Sequence, residues 1–163
     1  SKSFTLDGST TYLTLPSAAA DYTDDFSIAF WMKTAADATQ GVLCYKADDP
    51  LPGGTGPSYG LSFGTGAFAF RDGSGNLFQT AALITPDTWI HVVLVINGAD
   101  SRIYVDGVSR LTFSPTVLAN TNLLRIGRFS PTDSLYFDGE LADFMIYSKA
   151  LAAYEAKALA IGP

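Results

Sequence analysis

The sequence predicts an all-β domain: two antiparallel sheets packed face to face, with one short C-terminal helix. Three observations carry that expectation. Apolar and polar residues alternate with period 2 along about a dozen short segments, and turn residues punctuate them. Of the 16 acidic residues, 14 are Asp, which suits turns and caps, and only Glu140 and Glu155 are Glu, which suits helix interiors. The chain also holds 15 Gly, 11 Phe and 8 Tyr, the profile of a β protein with tight turns.

Taken in order, Phe4 and Leu6 alternate with polar neighbours before the turn Asp7-Gly8-Ser9, and residues 12–15 end at Pro16. Phe26, Ile28, Phe30 and Met32 then alternate with Ser27, Ala29, Trp31 and Lys33. Residues 42–46 form the next strand. Residues 48–58 hold three Pro and three Gly and must be loop. Residues 59–63 and 67–71 alternate again, and Asp72-Gly73-Ser74-Gly75-Asn76 turns the chain. Residues 89–96 are apolar on both faces except at His91. Residues 103–105 reach Asp106-Gly107, the strongest hairpin signal present, and residues 108–113 return. Residues 123–126 and 141–147 complete the strands. Residues 150–160 are the helical segment, Ala-rich, with Leu151, Tyr154 and Leu159 toward one face and Ser148 as candidate cap. Alternation assigns Phe26, Ile28, Phe30, Leu61, Phe63, Phe68, Phe70, Val92, Leu94, Ile96, Ile103, Val105, Leu124, Ile126, Phe144 and Ile146 to the core between the sheets.

Composition narrows the function. The net charge is −6 with no basic block, which argues against a nucleic-acid surface, since phosphate binding needs clustered Lys and Arg. No apolar run is long enough for a membrane-spanning helix, so no membrane insertion is expected, and no signal peptide is visible. Apolar content of 47% excludes a disordered chain. Residues 1–163 are expected to form one domain. The opening Ser1-Lys2-Ser3 lacks an initiator Met, so the chain is expected to be part of a larger protein. The single Cys44 lies in the run Val42-Leu43-Cys44-Tyr45 and reads as a small core residue. One His and one Cys cannot build a Cys/His zinc site.

Several strings, in this order, resemble one family: Phe4-Thr5-Leu6-Asp7-Gly8-Ser9, Asp25-Phe26-Ser27-Ile28-Ala29-Phe30-Trp31, Trp89-Ile90-His91-Val92, Ile103-Tyr104-Val105-Asp106-Gly107, Leu124-Arg125-Ile126-Gly127, and Phe137-Asp138-Gly139-Glu140-Leu141-Ala142-Asp143-Phe144-Met145-Ile146-Tyr147. Together they resemble the concanavalin A-like lectin/glucanase superfamily, in its laminin-G-like and pentraxin-like branch. The resemblance implies a jelly-roll sandwich with its first and last strands adjacent. It also implies a place outside cells or on a cell or virion surface, and glycan or protein partners, often with calcium.

Catalysis is not expected. Glycoside hydrolysis needs two carboxyls flanking the scissile bond, about 5 Å apart for retention. The nearest match, Glu140 with Asp143, has a spacing of three, which a regular strand would point to opposite faces. Asp138 and Glu140 share a parity, but no third acid follows at Ala142 or Phe144. His91 sits in an apolar strand without a nucleophile motif and reads as a satisfied structural histidine.

Binding is expected instead. Gly60, Ser62, Gly64, Ala67, Ala69 and Arg71 should face outward and leave a shallow groove, which a sugar requires. Tyr45, Tyr59, Arg71 and Asp72, with Asp48 and Asp49 in the loop, are the candidate ligand-binding residues. Trp31, out of phase with the core face, either stacks on a ligand or packs under a loop. A non-catalytic glycan-binding module is the leading reading. The alternative is a structural or protein-adhesion domain without glycan binding, and a degenerate hydrolase comes last. The resemblance further implies a structural calcium where the first and last strands meet. Asp143 is its candidate side-chain ligand, and the Asp7–Gly8 turn and Gly41 are candidate carbonyl sources.

Overall fold

The structure, a computed structural model, describes residues 2–46, 58–129 and 134–161. Two antiparallel six-stranded sheets form a jelly-roll sandwich. The strands in chain order are β1 (Ser3–Asp7), β2 (Leu13–Leu15), β3 (Phe26–Thr34), β4 (Gln40–Lys46), β5 (Tyr59–Gly64) and β6 (Ala67–Asp72). They continue with β7 (Leu77–Ala82), β8 (Ile90–Ile96), β9 (Ser101–Val105), β10 (Val108–Phe113), β11 (Leu124–Ile126) and β12 (Asp138–Tyr147). The first sheet runs β1-β12-β3-β8-β9-β10 and the second β2-β11-β4-β5-β6-β7. The first and last strands pair directly, Ser3 opposite Ala142 and Asp7 opposite Asp138.

All sixteen residues assigned to the core lie in or against it, with Phe144 and Ile146 partly buried. Within the first sheet Phe30 stacks on Phe144 at 5.5 Å, and between the sheets Phe26 packs on Tyr59 at 5.0 Å. The Asp106-Gly107 hairpin has positive φ at both residues, 50° and 73°, as a two-residue turn matched to strand twist requires.

Strand β7 escapes the alternation pattern. Leu77-Phe78-Gln79-Thr80-Ala81-Ala82 is a mostly exposed edge strand, so its sequence lacks a buried stripe. The helix α1 is shorter than the Ala-rich segment, spanning Ala153–Leu159. Its entry is fixed by Ser27, whose Oγ accepts the Leu151 N–H at 2.9 Å, and by Glu155, whose carboxylate accepts the Ala152 N–H at 2.8 Å. Glu155, rather than Ser148, caps it. Leu151, Ala156 and Leu159 pack on Ala29, Val93, Val95 and Tyr104 of the first sheet's outer face. That contact explains why β8 is apolar on both sides. Tyr154 points away from it and is 75% exposed.

A charged side chain is buried in the sandwich. Lys46 is 0% exposed, and its ammonium donates to Ser17 Oγ at 3.0 Å and to the carbonyls of Asn120 at 2.8 Å and Asn122 at 3.0 Å. Asp21 lies 3.7 Å away. A buried ammonium persists only when its donors are engaged in this way.

Candidate binding groove

Two bulges set which side chains reach the surface. In β4, Val42 opposes Ser62 and Cys44 opposes Leu61, so Leu43 is an extra residue. Leu43 and Cys44 therefore both enter the core, and Val42 and Tyr45, three apart, share the outer face with Phe129. Cys44 is buried, and burial pushes its thiol up to about 12, so it is an inert core residue.

The second bulge lies in β12, where Asp143 and Phe144 together oppose Phe30. Asp143 takes a left-handed φ of 49° there, a conformation Asp tolerates better than most residues. The bulge shifts the parity, so Leu141 and Phe144 both face inward. It also overturns the opposite-face expectation for Glu140 and Asp143. Glu140 is salt-bridged to outward-facing Lys33 at 2.6 Å, and the Asp143 charge is felt by outward-facing His91. The two are three residues apart along the strand, roughly 10 Å. Lys33 first, then the Ser3 hydroxyl, holds the Glu140 carboxyl below its ordinary range.

The groove lies on the outer face of the second sheet, with a volume of about 480 Å³. Gly60, Ser62, Gly64 and Ala69 form its floor, and Tyr45, Phe129, Leu77 and Leu135 its apolar sides. Gln40, Gln79 and Arg71 supply side-chain hydrogen-bonding groups. The Tyr45 ring packs on Phe129 at 4.8 Å and covers Gly60, its cross-strand neighbour. Burial pushes the Tyr45 phenol above its ordinary value, with the nearby Arg71 charge pulling the other way.

The candidate residues fall in different places. Tyr45 and Arg71 come together in the groove. Tyr59 does not join them: it shares parity with Leu61 and Phe63, is 0% exposed, and its hydroxyl donates to the Ala20 carbonyl at 3.2 Å. Asp72 is also turned inward and buried. Its carboxylate accepts the backbone N–H groups of Ser74 at 3.0 Å, Asn76 at 2.8 Å and Thr116 at 3.0 Å. Burial pushes Asp72 up, but these bonds outweigh it and hold the carboxyl below its usual range. It staples a turn. Asp48 and Asp49 lie outside the described residues. Phe129, Leu135, Leu77 and Gln79 were not legible beforehand. Leu77 and Gln79 belong to the missed strand, and Phe129 sits in irregular chain after β11.

The implied calcium ligands do not assemble. Asp7 opposes Asp138 at one end of the β1–β12 ladder, and Asp143 lies five residues on, roughly 15 Å away. The Asp7 carboxylate is already engaged by the Thr10 hydroxyl at 2.6 Å and by the N–H groups of Ser9, Thr10 and Thr11. These bonds, the Thr10 hydroxyl first, hold it well below the usual carboxylate range. Gly41 packs against Phe137, whose carbonyl accepts the Gly8 N–H at 3.1 Å. It therefore sits near the Asp7–Gly8 turn and far from Asp143. Among the described residues, no group of three His, Cys, Asp or Glu could hold a metal ion.

On the first sheet's outer face, Trp31 is half-buried and packs on His91 at 5.0 Å. His91 is buried, yet its Nδ1 has no hydrogen-bond partner among the described residues, so it is not the satisfied histidine expected. Burial pushes its pKa down, while the charges of Asp106 and Asp143 pull upward.

A jelly roll with a groove on one sheet defines a lectin-like class of domain. The chain belongs to the concanavalin A-like lectin/glucanases superfamily, whose laminin G-type family model matches residues 7–157. No curated protein matches the sequence. Among solved structures, it is similar to domain 4 of a GH43 extracellular arabinanase from Geobacillus stearothermophilus in complex with arabinotriose. That pair has 20% identity and a TM-score of 0.74 over 96% of this chain and 75% of that one. It is also similar to the botulinum neurotoxin serotype G binding domain, with 16% identity and a TM-score of 0.73 over 98% of this chain and 42% of that one. A third neighbour is Trypanosoma rangeli sialidase, with 18% identity and a TM-score of 0.73 over 97% of this chain and 27% of that one. The chain thus spans less than half of the toxin domain and about a quarter of the sialidase.

Proposed function

We propose that this domain is a non-catalytic carbohydrate-binding module that holds a saccharide in the groove over β4, β5 and β6. The observation that carries the proposal is the groove floor. Ser62, Gly64 and Ala69 keep the floor low, and Gly60 makes room for the Tyr45 ring in a Tyr45–Phe129 aromatic wall, beside the hydrogen-bonding Arg71, Gln40 and Gln79. Sugars bind by apolar contact of a ring face with an aromatic and by hydrogen bonds to hydroxyls, and this lining offers both. The family and the arabinotriose-bound neighbour support the same reading. A place on a surface or outside cells goes with it.

The test is affinity electrophoresis against a panel of neutral and acidic polysaccharides. Retention should fall with Tyr45→Ala and with Ser62→Trp, which fills the floor. No reducing ends should be released from a bound polysaccharide, and Glu140→Gln should leave binding unchanged. Retention on none of the panel would sink the proposal in favour of a protein-adhesion domain.

A further inference from the structure

We infer that the saccharide held in this groove is acidic and that Arg71 reads its carboxylate. The inference rests on the groove being the sugar site. Its first support is where charge is missing. The chain carries 16 acidic residues against 10 Lys and Arg. Yet the six strands of the second sheet contain a single acid, Asp72, and that one is buried in its turn. The outer face of this sheet therefore presents no strand carboxylate at all. Among the described residues lining the groove, Arg71 is the one charged side chain. On a protein of net charge −6, an arginine on a sheet face whose described strand residues expose no carboxylate favours an anion locally.

Arg71 is also positioned in advance. One Nη donates to the Gly75 carbonyl at 3.1 Å, which fixes the head of the side chain. Gly75 belongs to the turn that Asp72 staples: its N–H donates to the Asp72 carbonyl at 3.1 Å, and the Asp72 carboxylate holds Ser74 and Asn76 on either side. Asp72 is thus a positioning residue for Arg71. A guanidinium has five N–H donors in a planar fork, so four are left for the ligand, in the geometry that suits a planar carboxylate.

A second arginine extends the row. Leu124 and Ile126 are buried, so Arg125 between them faces outward, and it is the cross-strand partner of Tyr45. Arg125, Tyr45, Gly60 and Arg71 lie side by side across β11, β4, β5 and β6. Three strand spacings separate the two arginines, about 14 Å at the backbone. That is further than one sugar ring spans. The arrangement therefore suits an oligosaccharide with repeated acid groups, a polyuronate, over a single acidic sugar.

The test uses two polyuronates (polygalacturonate and alginate) and hyaluronan, in which every second sugar is a uronate, the same polymers with carboxyls reduced to alcohols, and the neutral panel, by titration calorimetry. At least one polyuronate should bind, and its reduced form more than tenfold more weakly, because the contacts to both arginines are lost. Arg71→Gln should cost the native polymer about tenfold, the loss of one charge-assisted bidentate contact, and leave the reduced one unchanged. Arg71→Lys, which keeps the charge but not the fork, should fall between. Circular dichroism should show both variants folded. Neutral polymers binding as well as acidic ones, with Arg71→Gln indifferent, overturns this inference and leaves the groove standing. Dextran sulfate binding equally well to wild type and Arg71→Lys also overturns it, since bare charge would then suffice. Binding to no polymer overturns the groove itself.

Discussion

The ring of Tyr45 lies over Gly60, so close that a Cβ at position 60 would overlap the ring carbons Cδ2 and Cε2. The glycine is there to let an aromatic lie flat along the groove wall. Gly60→Ala must push the ring outward or strain the strand, an overpacking cost of about 1–3 kcal/mol. We expect saccharide retention to weaken about tenfold as the wall moves, the size of one lost contact. Retention unchanged in the folded variant would show that the wall takes no part in binding.

Lys46 gives a second test, of stability. Its ammonium satisfies the Asn120 and Asn122 carbonyls inside the sandwich. Lys46→Met keeps the volume but strands those acceptors, so unfolding free energy should fall by about 2–3 kcal/mol. Chemical denaturation measures it. A neutral result would mean that water replaces the ammonium at no cost.

Asp143 gives a third. Its left-handed backbone at the β12 bulge makes it a conformational residue. Asp143→Val should cost about 1–2 kcal/mol, because a β-branched side chain resists that conformation, while Asp143→Gly should cost little. Both should respond to calcium or EDTA in thermal melts as wild type does. A calcium-dependent shift in wild type that Asp143→Gly abolishes would return Asp143 to the metal site that the family resemblance implied.

Most of the sandwich was legible because period 2 is a local signal, shown by strands such as β3, β5 and β6, while β8 announced itself as an apolar run covered on both faces. The parity of Tyr45 against Val42, and of Phe144 against Leu141, was not. Each pair straddles a bulge, and an inserted residue leaves no mark in apolar content. Arg71 could be placed on the outer face from the Phe68 and Phe70 alternation alone. Tyr59 and Asp72 are candidates by their polar tips although they share the core parity, and parity decides: the hydroxyl meets Ala20 and the carboxylate a turn. Phe129 and Leu135 come from irregular chain brought to the groove by tertiary contacts, so no local pattern could have pointed to them.

The last prediction concerns pH. His91 is buried beside Trp31, and burial depresses its pKa below the ordinary 6.5, against the opposing charges of Asp106 and Asp143. A base with a depressed folded pKa binds fewer protons folded than unfolded between the two values. Stability is therefore fully present above about pH 6.5 and is lost as pH falls through the folded value. One proton gives a slope of at most about 1.4 kcal/mol per pH unit in that window. Asp72, also depressed, contributes in the same direction but lower, as pH falls below its ordinary 3.8. The two windows separate in a titration of unfolding free energy from pH 8 to 3. His91→Phe should flatten the upper window, below pH 6.5, and leave the carboxylate window in place. An unchanged slope near pH 6 in that variant would show that His91 accepts its proton in the fold without cost.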